Sequence, residues 1–249
     1  MKLRLLILIG LLLSVSLCFA IPNLQIVTEE YPPFNFVEDG VPTGIFIDVL
    51  DYILKDTASK QTIKDVQVLP WARGYNMAQT QANTVIFGTT FTEERKNSFK
   101  WVGPVVNSNQ TLLAKKSNKI KISDAKNING LKIGLINKDV AEEILIQQGV
   151  NNGLFDAIAD PLTNVRKLAL GRVDLIAYGD ISAFYMLKNI GENVDDYEVV
   201  NVLRETQLYF AFHKDTSDDI IKAFQKSLDK LKKQDTVKYE AILRKYGSS

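Results

Sequence analysis

The 249-residue sequence is poor in the residues that carry most covalent and metal chemistry, with one Cys and one His. A single Cys excludes a disulfide scaffold, and one of each excludes most structural zinc sites, which take four such ligands. Histidine catalysis has one candidate, His213. A charge surplus is also missing. Thirty Lys+Arg against 29 Asp+Glu leave +1, with no basic block or stripe. Non-specific nucleic-acid binding, which depends on clustered cations meeting phosphates, is therefore unsupported. Beyond residue 20 no stretch approaches the ~20 apolar residues of a membrane-spanning helix. Internal repeats and low-complexity tracts are absent as well. What is there is an ordinary globular composition, 46% hydrophobic and 24% charged. The length allows one large domain or two lobes of roughly 100–130 residues, each able to bury a core.

Residues 1–20 read MKLRLLILIGLLLSVSLCFA. Lys2 and Arg4 precede an apolar run that ends on the small residue Ala20, the pattern of a secretion signal cut after Ala20. An uncleaved anchor would need a longer apolar core. A lipid on Cys18 would follow the bulky Leu17. Removing 1–20 takes away Lys2, Arg4 and Cys18, which leaves the mature chain at −1 with no thiol. That suits an oxidising compartment, and the expected product is a soluble secreted or periplasmic protein.

Short β-rich runs at 24–28, 66–69, 85–89, 111–115, 132–136, 174–178 and 208–213 alternate with helical patterns at 46–55, 72–81, 141–148, 164–170 and 181–188. Such alternation predicts βαβ units and an α/β fold with mostly parallel sheet. Residues 218–233 place Ile220, Ile221, Phe224, Leu228 and Leu231 on one helical face, and a short helix over 237–246 follows. The polar run Lys115 to Lys119 and a break near Asn201–Glu205 read as two crossings between lobes. Lobe 1 would then be 21–114 plus 206–249, and lobe 2 the insert 115–205. Two crossing strands make a hinge, and a hinge between lobes makes a cleft.

Several segments in order resemble one family. They are Glu30-Tyr31-Pro32-Pro33-Phe34, Gly44-Ile45-Phe46-Ile47-Asp48, Gly88-Thr89-Thr90-Phe91-Thr92-Glu93-Glu94-Arg95, Phe99-Lys100-Trp101-Val102-Gly103-Pro104, Lys132-Ile133-Gly134-Leu135 and Gly171-Arg172-Val173-Asp174-Leu175. The set is similar to the bacterial extracellular solute-binding proteins of family 3, the amino-acid-binding components of ABC importers. The resemblance implies the two-lobed type II periplasmic-binding-protein fold, hinged by two crossing strands. It also implies a cleft that takes a small-molecule ligand, an amino acid or related carboxylate, and a membrane permease as partner. The protein would act as a periplasmic monomer without cofactor, catalytic group or nucleic acid.

The same resemblance implies site residues. Arg95, in the T-x-x-R motif, would grip the ligand carboxylate, a role that suits a guanidinium fork; its bland reading is a surface pair with Glu93 or Glu94. Thr90 and the Gly88 backbone stand where the family offers a hydroxyl and amide donors to that carboxylate. Tyr31 matches the aromatic stacked on the ligand, or else packs a Tyr-Pro-Pro-Phe turn. Trp71 falls near a second cleft aromatic or is a buried structural Trp, and Arg73 beside it is a second anion contact or a solvated helix residue. Asp180 matches the acid aimed at the ligand amine, and is equally a helix N-cap. After Gly134-Leu135 the family's small hydroxyl-rich turn is replaced by Asn137-Lys138-Asp139-Val140, so either the contact from lobe 2 would come from Asn137 or Lys138, or the ligand is not a plain α-amino acid. Thr28 and Glu29 stand where some members carry an acid for a basic side chain.

Two other readings share the fold. One is a periplasmic enzyme akin to cyclohexadienyl dehydratases, with Glu29, Glu30 or Asp139 as the general acid. The other is a receptor that signals to a membrane sensor. No Ser-His-Asp, Cys-His, H-E-x-x-H or phosphate-loop pattern is in the sequence.

Overall fold

The computed structural model describes residues 23–247. The expected secretion signal at 1–20 lies outside them. Two five-stranded sheets form the frame. The first has the order β4-β1-β5-β12-β6, from Val66–Val68 (β4), Gln25–Thr28 (β1), Thr84–Thr90 (β5), Gln207–His213 (β12) and Phe99–Asn107 (β6). The second has the order β11-β7-β10-β8-β9, from Tyr197–Arg204 (β11), Gln110–Lys115 (β7), Leu175–Gly179 (β10), Ile133–Ile136 (β8) and Phe155–Ile158 (β9). A small hairpin pairs Phe36–Glu38 (β2) with Val41–Thr43 (β3).

The sheets are more mixed than the alternation predicts. β1 runs parallel to β4 and β5, and β8 parallel to β9 and β10, as βαβ units require. By contrast, β12 is antiparallel to β5 and β6, and β7 is antiparallel to β10 and β11. The antiparallel halves are built by the segments that cross between the sheets. β6 leads out of the first sheet and β12 returns beside it, so the two must run in opposite directions.

Those crossings place one boundary differently from the expectation. The chain leaves the first sheet after Asn107 and enters the second at Gln110, so Thr111 to Ala114 pair with β10 and β11 rather than with the first sheet. The polar run Lys115–Lys119 is the exit of β7, not the crossing. The return passes through Glu205 and Thr206, between β11 and β12. The two crossings bind each other: Ser108 N donates to the Thr206 carbonyl at 3.0 Å, and the Thr206 hydroxyl donates to the Ser108 carbonyl.

Side-chain alternation sorts the second sheet's two faces. Leu112, Ala114, Ile133, Leu135, Leu175 and Ala177 face helix α3 (Val140–Gln147), with Val140, Ala141, Ile144 and Leu145 in one cluster. Their neighbours Leu113, Ile136, Ile176 and Tyr178 face the other way, into a cluster with helices α4 (Pro161–Ala169) and α5 (Asp180–Asn189). That second cluster runs on without a break into the first lobe's core of Phe34, Phe46, Phe87 and Phe210. The lobes are therefore closed on each other. The first lobe is completed by α1 (Ile45–Asp56), α2 (Trp71–Thr80), α6 (Asp218–Lys233) and α7 (Thr236–Lys245). α6 buries Ile220, Phe224, Leu228 and Leu231 at helical spacing, starts on a Ser217 cap with Asp218 and Asp219, and ends on Lys230, Lys232 and Lys233. This order of charge complements the helix dipole.

Candidate functional site

The strand ends of both sheets meet at the closed interface, and four polar contacts bridge it. Arg95, just after β5, is 3% exposed, and its guanidinium makes a two-pronged pair with Glu143 of α3. Nε donates to Oε2 at 3.0 Å and Nη2 to Oε1 at 2.8 Å. The Trp71 indole donates to the Lys138 carbonyl at 2.8 Å. The Ser182 hydroxyl donates to the Pro32 carbonyl, and Arg204 stands 3.8 Å from Glu94.

Local structure explains how each side chain arrives there. β5 ends in Thr90, and the following turn places Arg95 N on the Thr92 hydroxyl at 3.2 Å. Gly88 forms a bulge in β5, between the Phe87 and Thr89 pairings with β12, and its φ is +72°. A side chain there would collide with Asn35 Oδ1, and would also leave the backbone in the left-handed region that disfavours a Cβ. Asn35 in turn donates from Nδ2 to the Glu29 carbonyl at 2.9 Å, which fixes the end of β1. α2 opens on Trp71, so Trp71 and Tyr75 lie one turn apart and form the wall over which Arg95 sits. The guanidinium carbon is 5.4 Å and 5.0 Å from the two ring centres. Such rings attract a cation through their π faces.

The buried groups around Arg95 are mostly acids and phenols. Burial raises the Glu29 carboxyl well above the usual carboxylate range, with the Asp139 charge adding to it and Arg95 opposing. Burial likewise pushes Asp139 up to about 6 against the pull of Arg95. The Tyr31 and Tyr178 hydroxyls are raised by burial as well. Their rings meet edge to face at 5.2 Å. Two polar atoms of this cluster, Arg95 Nη1 and the Tyr178 hydroxyl, are buried without a protein partner. A native interior pairs nearly all such atoms, so each marks a place that a further group would fill. A cavity of about 350 Å³ opens beside the cluster between the lobes, lined by Glu29, Glu30, Val37, Trp71, Asp160 and Pro161 among others. None of its lining residues is basic among the described residues.

The structure brings Tyr31, Trp71, Thr90 and Arg95 to this interface, with Gly88 shaping the strand behind them. It places three other sequence candidates elsewhere. Asp180 is engaged at the hinge: its carboxylate accepts from Ile181 N at 2.8 Å, and from Asn109 N and Nδ2, each at 3.2 Å. Asp180 is not the N-cap either: it is the first residue of α5, after the Gly179 cap, and Asn109 at the crossing takes both its oxygens. Arg73 is exposed on α2, and Asn137 is exposed with its amide on the Ile158 carbonyl at 2.9 Å. The contact from lobe 2 to Trp71 uses the Lys138 carbonyl instead of a side chain. Lys138 has a φ of +59°, and its amide is held by Glu142 Oε2 at 2.5 Å. Glu143, Tyr75 and Tyr178 also belong to the site and carry no motif that marks them in the sequence. Tyr75 could be found as the residue one turn after Trp71; Glu143 reads like any acid in the first turn of a helix.

Comparison with known proteins agrees with this frame. The sequence profile of the bacterial extracellular solute-binding proteins, family 3, matches residues 24–249. The L-cystine-binding protein TcyJ of Escherichia coli (strain K12) is 26% identical over 211 residues, covering 83% of this chain and 76% of that protein. A probable histidine-binding protein of Campylobacter jejuni subsp. jejuni serotype O:2 is 26% identical over 224 residues, covering 87% and 81%. The crystal structure of an ABC uptake transporter substrate-binding protein from Streptococcus pneumoniae with bound histidine superposes with a TM-score of 0.77 at 19% identity, covering 90% and 92%. With its two hinged sheet lobes and a family match across all but the first 23 residues, the chain belongs to the bacterial extracellular solute-binding proteins of family 3.

Proposed function

We propose that the protein is a periplasmic solute-binding protein that captures a small polar solute, an amino acid or related carboxylate, between its lobes and delivers it to the membrane permease of an ABC importer, acting as a monomer and without covalent chemistry. The observation that carries this reading is Arg95, a 97%-hidden guanidinium at the meeting of the two lobes, walled by Trp71 and Tyr75, with Nη1 unpaired. Its fork matches a carboxylate with two parallel hydrogen bonds. The acid-lined cavity beside it supports a solute that also carries a positive group, which Glu29, Glu30 and Asp160 would face. Relatives named for cystine and histidine binding support the amino-acid class. Closure around the solute would couple binding to recognition by the permease, because closed and open forms present different surfaces.

A thermal melt of the mature chain against single amino acids tests this. A solute at ~1,000 times its Kd adds about 4 kcal/mol to the folded state. That is roughly 8–16 °C for a chain of this size. The expected result is a shift with one amino acid, lost in Arg95→Ala, with the compound recovered unchanged. No shift with any α-amino acid sinks the amino-acid reading and turns the search to other carboxylates, and consumption of the compound replaces it with an enzyme.

A further inference from the structure

We infer that Glu143 is an internal competitor for the solute's carboxylate and so sets which solutes the cleft accepts. This inference rests on the reading of Arg95 as the carboxylate anchor. In the closed protein the fork of Arg95 is already filled, and the group filling it is a carboxylate in the two-pronged geometry a ligand carboxylate would adopt. The two residues come from opposite lobes, Arg95 from the end of β5 and Glu143 from the first turn of α3. The pair thus spans the hinge and ties the lobes shut without a solute.

The partners are unequally placed. The Arg95 side chain is 3% exposed, whereas that of Glu143 is 35% exposed. A half-exposed Glu can swing back to water at little cost, but a buried guanidinium cannot be left alone, because an unpaired buried charge is strongly unfavourable. Arg95 therefore always needs an anion, and Glu143 supplies it until another arrives. An arriving carboxylate gains only the difference between its own pairing and that of Glu143. A solute's apparent affinity is scaled down to the fraction of molecules in which Arg95 is free to receive it. Solutes whose affinity comes only from a carboxylate are rejected. Those that also offer a cation to Glu29, Glu30 and Asp160 in the adjoining cavity have a second source of affinity, and displacing Glu143 relieves its repulsion of Asp139.

The test compares wild type with Glu143→Gln and Glu143→Ala by small-angle scattering without solute and by calorimetric titration with L-arginine, L-histidine and L-cystine. Agmatine, which is arginine without its carboxylate, is the control. The expected result is a larger radius of gyration for both variants in the absence of solute. Affinity for the amino acid that binds should rise on the order of tenfold, and that for agmatine, which has no carboxylate to replace the lost tie, should not rise. Unchanged radii, or amino-acid affinities that stay level or fall, overturn the inference. An equal gain for agmatine overturns it too, because the effect is then general charge relief. If no amino acid binds either wild type or variants, the reading of Arg95 as an anchor has failed, and the radii alone still decide whether Glu143 holds the lobes shut.

Discussion

The indole nitrogen of Trp71 donates a 2.8 Å hydrogen bond across the cleft to the carbonyl of Lys138. One partner opens α2 in the first lobe and the other sits in the turn before α3 in the second. The bond exists only when the lobes are together, so it belongs to closure and not to the stability of either lobe.

Trp71→Phe keeps most of the ring over Arg95 and removes the donor, leaving the Lys138 carbonyl to water. The expected effect is a loss of about 1 kcal/mol from the closed state. Scattering should show a more extended solute-free protein, with the melt of each lobe little changed. The chain has two Trp residues. In a Trp101→Phe background, Trp71 becomes a single fluorophore whose emission should shift when solute reaches Arg95 against its ring. An emission spectrum that ignores a solute known to bind would remove Trp71 from the moving interface.

Asp139 gives the closed state a pH dependence. Burial raises its carboxyl from 3.8 to about 6. An acid whose pKa is higher folded than unfolded holds its proton more tightly in the fold, so its charged form weakens the fold. The loss begins as pH rises past about 4 and is complete above about 6. Glu29 acts in the same direction. Asp139→Asn should therefore raise the melting temperature at pH 7.5 by a few degrees, at roughly 2–4 °C per kcal/mol. It should also flatten the dependence between pH 4 and 6. A variant less stable than wild type at pH 7.5 would show that Asp139 is stabilised as an anion, by Arg95, against the present assignment.

Gly88 is held in the left-handed region against Asn35. Gly88→Ala is expected to destabilise the first lobe by at least ~1 kcal/mol from the backbone alone, with more from the collision. Pairing it with Asn35→Ala should recover the collision part only, which a double-mutant melt would read as a non-additive gain. Strict additivity would mean that the strand moves instead.

Phe224 on α6 is fully buried against Phe210 and Phe212, with ring centres 6.4 Å and 5.1 Å apart. Phe224→Ala should cost about 3–5 kcal/mol in denaturant unfolding. Below the melt, solute affinity should be unchanged, because the residue faces the first lobe's core and not the cleft. A large affinity change would show that the core transmits strain to the hinge.

Much of this molecule can be read from its sequence, and the reason is local. The short apolar runs of β10 and β12, buried on both faces, and the Ile220-Phe224-Leu228-Leu231 spacing of α6 are dictated by which side chains must leave water. Arg95, Trp71 and Tyr31 are legible through motifs that sit at strand ends or helix starts, where the backbone fixes where a side chain emerges. Strand β6 is not legible in the same way. Lys100, Gly103 and Pro104 interrupt its pattern, and its nine residues become a strand only because β12 returns beside them.

The pairing of charges across the cleft is the part that no local rule contains. Asp180 precedes a helix and follows a strand, and the sequence cannot say whether its oxygens turn to a ligand or to the hinge; Asn109, 71 residues away, takes them. Glu143 is an unremarked acid of a helix start until closure sets it on a guanidinium 48 positions earlier in the chain. Most of the elements, and the arginine at the end of β5, follow from local pattern alone. Which anion meets that arginine follows from packing between the lobes, because the contact depends on how two lobes come to rest against each other, and burial, not spacing, selects it.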